Sequence, residues 1–232
     1  MTAVNILSGG AALCLVRGLA EAFKAQTGLG IEGEYGAVGV MADKLRRGAR
    51  ADLVILTHAL VTKLVDEALV APSSIADVGV VETALAVRAG DPKVMVRNKA
   101  DLRDVLRTAD AIFVPDTTTS TAGMHVAKVL DQLGIAYEVA SRLKIFPNGA
   151  TAMRQLAASE AKRPIGCTQA TEIIATEGIV LSGPLPPGSD LATMYTAGVA
   201  TQATNPTQAR ALIELLTGAE QRELRSRVGF AR

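Results

Sequence analysis

The sequence predicts an α/β protein built on a mainly parallel sheet, or on two such sheets. Three observations carry this prediction. First, an apolar strand, a polar or Gly-rich turn and an amphipathic helix recur along the chain. The unit opens at Asn5-Ile6-Leu7-Ser8, passes through Gly9-Gly10-Ala11-Ala12 and continues as helix to about Gln26. It returns at residues 53–56 followed by Thr57-His58, and at 112–115 followed by Asp116-Thr117-Thr118-Thr119-Ser120-Thr121. Second, in the strand expected over 51–56 residues 53–56 are continuously apolar, the pattern of a strand buried on both faces. Third, each such turn places free backbone N–H groups at a helix N-terminus, where several together can hold an anion.

In chain order, the first helix is expected over 11–26, with Leu13, Val16, Ala20 and Phe23 on its apolar face. A strand follows over 31–35, then a helix over 39–47 with Val40, Met41 and Leu45 inward. After strand 51–56, apolar positions 60, 61, 64, 65 and 68 define another helix. Residues 83–87 read as a strand leading to a second region. Residues 99–108 form a charged surface helix, 112–114 a strand, and the Thr/Ser run caps a helix reaching Gln132. Strand 143–146, helix 151–159, strand 165–168, a short helix at 170–176 and strand 179–181 come next. The loop at 183–189, Gly-Pro-Leu-Pro-Pro-Gly-Ser, is the strongest punctuation in the chain. Strand 194–200 precedes Asn205-Pro206, an N-cap and first-turn proline that start helix 209–216. A surface helix over 220–227 ends the pattern.

Composition removes several function classes. The 232 residues allow a large core, as one α/β domain or two small lobes. Net charge is +1, so there is no electrostatic footprint for nucleic acid or a membrane surface. Aromatics make up 3% with no Trp, which argues against base-stacking or sugar-stacking walls. No run of about 18 uncharged apolar residues occurs, so no membrane insertion is expected. The N-terminus lacks a basic n-region and begins a strand at once. It is read as cytoplasmic as it stands, or periplasmic if a leader has been cut away. Cys14 and Cys167 are read as small core residues, and with two His in the chain no metal site or cofactor is expected. No Gly-x-Ser-x-Gly elbow and no P-loop is present.

The order of elements resembles the type 2 periplasmic binding protein superfamily, and within it the molybdate-binding proteins of ABC transporters. The residues that carry this are Ile6-Leu7-Ser8-Gly9-Gly10-Ala11, Glu21-Ala22-Phe23 before Thr27-Gly28, and Gly48-Ala49-Arg50-Ala51-Asp52-Leu53-Val54-Ile55. Val114-Pro115, Asn148-Gly149-Ala150 and Pro164-Ile165-Gly166-Cys167 complete the set. The resemblance spans nearly the whole chain. It implies two α/β lobes joined by two crossover strands, lobe one being 1–82 plus 195–232 and lobe two 83–194, with a ligand cleft that closes by hinge motion. It also implies hydroxyls on the turns after the first two strands and a tyrosine after a later one. Here those turns read Gly9-Gly10-Ala11-Ala12 and Gly36-Ala37-Val38-Gly39, and Gln169 stands at the tyrosine position. A dehydrated oxyanion loses about 1.5–3 kcal/mol for each charge-assisted bond removed. That argues against molybdate and for an organic carboxylate.

The candidate ligand-binding residues are Ser8, Gly9, Gly10, Thr57, His58, Thr119, Ser120, Thr121, Asn148, Thr168 and Gln169, all at strand-to-helix turns. Each turn is alternatively a simple capped turn, and His58 a surface histidine. His58 is also the candidate acid/base group. One N-cap explains one hydroxyl of the run 117–121 and leaves four. His125 reads as surface or packing, and Arg88, Arg142 and Arg154 as solvated. Three functions fit. The chain is a solute-binding protein that captures a small anionic ligand for an ABC permease, or an isomerase of an unsaturated di- or tricarboxylate, or a ligand-sensing module. Molybdate or tungstate binding stays as a further alternative.

Overall fold

Strand β1 (Ala3–Gly9) begins the fold because six of its seven residues are buried, Val4, Ile6 and Leu7 among them. In this computed structural model, residues 3–231 are described. The chain divides into two units: Met1–Val81 with Thr193–Arg232, and Glu82–Ala192.

In unit one, β1 leads through a short 3-10 turn into α1 (Leu13–Thr27). The helix buries Leu15, Val16, Leu19 and Phe23. The expected apolar face is therefore displaced: Leu13 and Ala20 are only half-buried. So is Cys14, which corrects its reading as a core residue. The 3-10 turn before the helix rotates the face relative to a helix counted from residue 11. Gly28, at φ 74°, ends α1 in the left-handed conformation and donates to the Lys24 carbonyl. β2 (Gly30–Gly36) is an edge strand with no fully buried residue, and its Glu32 and Glu34 protect that edge. α2 (Val38–Arg46), β3 (Leu53–Thr57) and α3 (His58–Asp66) follow. β1 lies between β2 and β3, parallel to both.

β4 (Ala76–Arg88) carries the chain out of unit one. Its first half was not expected, because Asp77, Gly79 and Glu82 break the strand-like pattern that begins at Thr83. Unit two then holds α4 (Lys99–Thr108), β5 (Ala111–Pro115), α5 (Thr121–Gln132), α6 (Ala136–Val139) and β6 (Leu143–Phe146). α7 (Gly149–Ala157), β7 (Pro164–Gln169), α8 (Ala170–Ile174) and β8 (Ile179–Pro184) complete it. The four-residue α6 was missed because one turn carries no periodicity. β5 is parallel to β6 and β7, while β4 is antiparallel to β7 and β8. The core packs Leu85, Leu102, Ile112, Val126, Leu130 and Ile165.

β9 (Ala192–Val199) returns the chain, pairing antiparallel with β3, and α9 (Pro206–Thr217) and α10 (Arg222–Arg227) finish unit one. Among the described residues no helix is long and apolar enough to cross a membrane.

Unit one is made of two chain segments, and Asp52 ties them together. Its Oδ2 accepts the Asn5 N–H at 2.8 Å, and its Oδ1 accepts the N–H groups of Thr204 at 2.7 Å and Asn205 at 2.8 Å. Asn205 sits at the N-cap position of α9, but its amide donates to Ala3 O and Asp52 instead of capping. Burial pushes the Asp52 carboxyl up, and the bonds from Asn5, Asn205 and Thr204 outweigh it, so the net shift is downward. Asp52→Ala would leave three backbone donors without this acceptor. Unfolding in urea should show a loss of more than about 2 kcal/mol, and a loss below about 0.5 kcal/mol would mean the carboxylate is dispensable.

Candidate functional site

Parallel strands in one sheet end at the same edge, so the turns that follow them gather there. In unit one the ends of β1 and β3 are adjacent, with Ser8 in register with Ile55. In unit two β5, β6 and β7 end together, with Pro115 in register with Phe146 and Phe113 with Gly166. The expected site residues are thereby grouped as Ser8, Gly9, Gly10, Thr57 and His58 on one unit. Thr119, Ser120, Thr121, Asn148, Thr168 and Gln169 are on the other.

Within unit one the turn is tightly filled. Ser8 is fully buried and its hydroxyl donates to the Gly9 carbonyl at 2.9 Å. A Cβ on Gly9 would lie 2.7 Å from Val38 Cγ1 and 2.9 Å from Tyr195 Cε1. The glycine thus admits protein neighbours to its backbone, where the sequence suggested a ligand. Gly10 opens the three-residue 3-10 turn. Thr57 caps α3, its hydroxyl accepting the Leu60 N–H at 3.4 Å. His58 stands half-exposed at the start of α3, with Nδ1 3.2 Å from Asp77 Oδ1 and 3.1 Å from Thr196 Oγ1. Thr196 also donates to Asp77 Oδ1 at 2.6 Å. A carboxylate only accepts, so this contact places a proton on Nδ1, and in the neutral imidazole Nε2 then carries the lone pair.

The hydroxyl run of unit two has a use the sequence reading did not give it. Asp116 Oδ1 accepts from the backbone N–H and the hydroxyl of both Thr118 and Thr119, at 2.6–2.9 Å. Those four bonds hold the Asp116 carboxyl down at about 2. Ser120 caps α5, accepting from Gly123 N at 3.5 Å. The expectation that one cap leaves four hydroxyls is corrected: Thr118 and Thr119 are taken by Asp116, and Thr121 begins the helix. An Asp directly before a Thr run is an Asx-turn signal that sequence reasoning passed over.

The turn at Asn148 is already occupied by an acidic side chain. Asn148 caps α7 through a 2.8 Å bond from Thr151 N. The Glu172 carboxylate accepts the Thr168 hydroxyl at 2.6 Å and the backbone N–H groups of Gly149, Ala150 and Gln169. A Cβ on Gly149 would lie 1.9 Å from Glu172 Oε2 and 2.2 Å from Thr168 Oγ1, so only glycine fits. Glu172 is 7% exposed, and burial holds its carboxyl above the usual carboxylate range despite those four donors. The protein's own side chain thus fills the N-terminus of α7. The sequence signal was a Glu between Thr171 and Ile173 just after a buried strand.

Gln169 is 3% exposed and neither amide atom has a protein partner. His125 Nε2 donates to the Ser189 carbonyl at 2.8 Å. Arg88 bonds Asp91 and the Ser159 carbonyl, Arg142 the carbonyls of Arg107 and Ala109, and Arg154 the Thr151 hydroxyl. The buried Cys167 thiol is pushed up to about 12, which leaves it without nucleophilic character at neutral pH. Among the described residues no group of three His, Cys, Asp or Glu could hold a metal ion.

The family of bacterial extracellular solute-binding proteins matches residues 4–231. The chain belongs to this family. An aconitate isomerase from a Pseudomonas species is 28% identical over 227 residues, covering 93% of this chain and 82% of that protein. The periplasmic molybdate-binding protein of Azotobacter vinelandii superposes with a TM-score of 0.83 at 16% identity, covering 99% of each chain. The sulfate-binding protein SubI of Mycobacterium tuberculosis H37Rv gives 0.77 at 21% identity, covering 99% of this chain and 86% of that one. The fold is that of a type 2 periplasmic binding protein, as the order of strands and helices implied.

Glu172 sets a pH dependence. Its folded pKa lies above the unfolded one, so its contribution to stability is complete below the ordinary glutamate value and is lost as pH rises through the folded value. Chemical denaturation between pH 4 and pH 8 should show wild type losing stability with rising pH relative to Glu172→Gln. Parallel curves for the two proteins would remove the assignment.

Proposed function

We propose that this chain binds a small organic carboxylate as a solute-binding protein of the ABC-transporter type. The observation that carries the reading is the state of the strand-end hydroxyls. The Ser8, Thr118, Thr119 and Thr168 hydroxyls donate within the protein, and those of Thr57 and Ser120 accept a backbone N–H as helix caps. A tetrahedral oxyanion stripped of water needs a shell of converging donors, and four of these six hydroxyls have already given their proton to the protein. A carboxylate needs fewer, because part of its charge can remain hydrated and its carbon skeleton supplies apolar contact. The relative named aconitate isomerase, similar along 93% of this chain, supports a polycarboxylate ligand.

A second reading is isomerisation of an unsaturated tricarboxylate, and His58 favours it. With Nδ1 against Asp77 and Thr196, Nε2 is oriented as an acceptor. In that role it would take a proton from a carbon next to a carboxylate and return it at the far end of the allylic system. Asp77 would stabilise the imidazolium formed between the two steps. Neither residue would bond covalently to the substrate, and no redox change is required.

A thermal-shift series tests the first reading. At about a hundred times Kd, a ligand adds roughly 2.7 kcal/mol of stability, which for a chain of this size raises Tm by roughly 5–10 °C. Aconitate or citrate should give such a shift, and molybdate, tungstate and sulfate should not. A shift with molybdate alone would overturn the carboxylate assignment. Proton NMR of aconitate incubated with the protein tests the second reading. Isomer conversion that disappears in His58→Ala supports catalysis by His58, and no conversion with wild type removes it.

A further inference from the structure

The fit between Gly149 and Glu172 creates a chemical liability at the start of α7. Glu172 Oε2 rests where a Cβ on residue 149 would stand, so the residue after the Asn148 cap has to be glycine. In an Asn-Gly pair the asparagine loses its amide most readily, because no side chain shields the following backbone nitrogen. The pair occurs once in this chain; the other three asparagines precede Ile6, Lys99 and Pro206. Asn148 is half-buried and follows the exposed Pro147, so its side chain is within reach of water.

The same turn restrains the atoms that this reaction has to move. The Gly149 N–H donates to the Glu172 carboxyl group. Asn148 Oδ1 accepts the Thr151 N–H at 2.8 Å, and the Asn148 carbonyl accepts the Ala152 N–H at 3.0 Å. Ring closure needs rotation about the Asn148 Cα–C bond, because Gly149 N and Asn148 Cγ must come into one plane. That rotation swings the Asn148 carbonyl off Ala152 and draws Gly149 N away from Glu172. Gly149 and Glu172 are both buried, so the bond between them is not exchanged for one to solvent in the closed turn.

We propose that Asn148 is a deamidation site that Glu172 holds closed. In the opened turn a solvent base removes the Gly149 amide proton and the nitrogen attacks Asn148 Cγ. The N–Cγ bond forms, the Cγ–Nδ2 bond breaks, and the departing group takes up a proton and leaves as ammonia. Water then opens the succinimide at either carbonyl, giving aspartate or isoaspartate with no redox change. Isoaspartate routes the backbone through the former side chain, lengthening it by one carbon and disrupting the cap of α7.

Ageing the full chain in mildly alkaline buffer, beside a peptide spanning 144–152, tests this. Mass spectrometry of the proteolytic fragment that carries residue 148 reads the replacement of NH2 by OH. Wild type should react at least about tenfold more slowly than the peptide, the factor for unpairing one buried polar group before reaction. Glu172→Ala should speed residue 148 by a similar factor and leave Asn5 and Asn98 at their wild-type rates. Thr168→Val removes one donor to Glu172 but keeps the Gly149 contact, so it should react as wild type does. Glu172→Asp withdraws the carboxyl group by one methylene and is the milder change. It should react faster than wild type even if Glu172→Ala does not fold. Wild type reacting at the peptide's rate overturns the proposal. So does a Glu172 variant no faster than wild type, and a slower one would mean that the acid assists the attack as a base. Thr168→Val as fast as Glu172→Ala, or all asparagines accelerating together, also overturns it, because the cause is then a loosened fold and not the Gly149 contact.

Discussion

The Asp52 carboxylate is the constraint on which unit one depends. A domain assembled from residues 1–81 and 193–232 must bring a second chain segment back beside the first, across an intervening unit. Hydrophobic contact favours that return without fixing its register. Three backbone N–H groups converging on one buried side chain do fix it, because each has a single good direction. The antiparallel ladder from Leu53–Val199 to Thr57–Tyr195 then runs from that anchor toward the strand end. Tyr195 arrives over Gly9 at the far end of the ladder, so the shape of the β1 turn is set in part by a carboxylate at the other end of the sheet.

The strand-end turns follow a common economy. A helix N-terminus and a Ser or Thr hydroxyl are good anion donors, but the same groups are what a turn uses to satisfy itself. Asp116 gathers the Thr118 and Thr119 donors, Ser120 and Asn148 cap their helices, and Glu172 fills the start of α7. Gln169, Thr83 and Ser189 stand apart from this pattern, buried yet unpaired.

The architecture was legible in the sequence because it rests on local patterns. Continuous apolar runs at 53–56 and 111–114 mark buried strands, and the spacing in 99–108 and 121–132 marks helices, whatever the tertiary context. What the sequence hid was mostly partnership. The 47 positions between Asn5 and Asp52, and the 138 between His58 and Thr196, carry no periodic signal. The same holds for Thr83, whose pairing with Gln169 depends on which strands become neighbours. Polar residues at strand ends could be located, but whether each was free or engaged depended on acids elsewhere in the chain. Asp116 was the exception, since an Asx turn is written within four residues. The opening half of β4 was obscured because charged residues and a glycine there suit an irregular strand, not an alternating one.

The fit between Gly149 and Glu172 has a consequence for how this protein can change. The space that a methyl group would need at 149 is where the acid's oxygen rests. Neither position can drift alone: a larger residue at 149 evicts the acid, and loss of the acid leaves a small, donor-lined hollow. Both together can drift, so a lineage that shortened residue 172 would be released to widen residue 149, or to admit a chloride or formate in the gap. The two sites form a single evolutionary character, and homologous chains should exchange them as a pair.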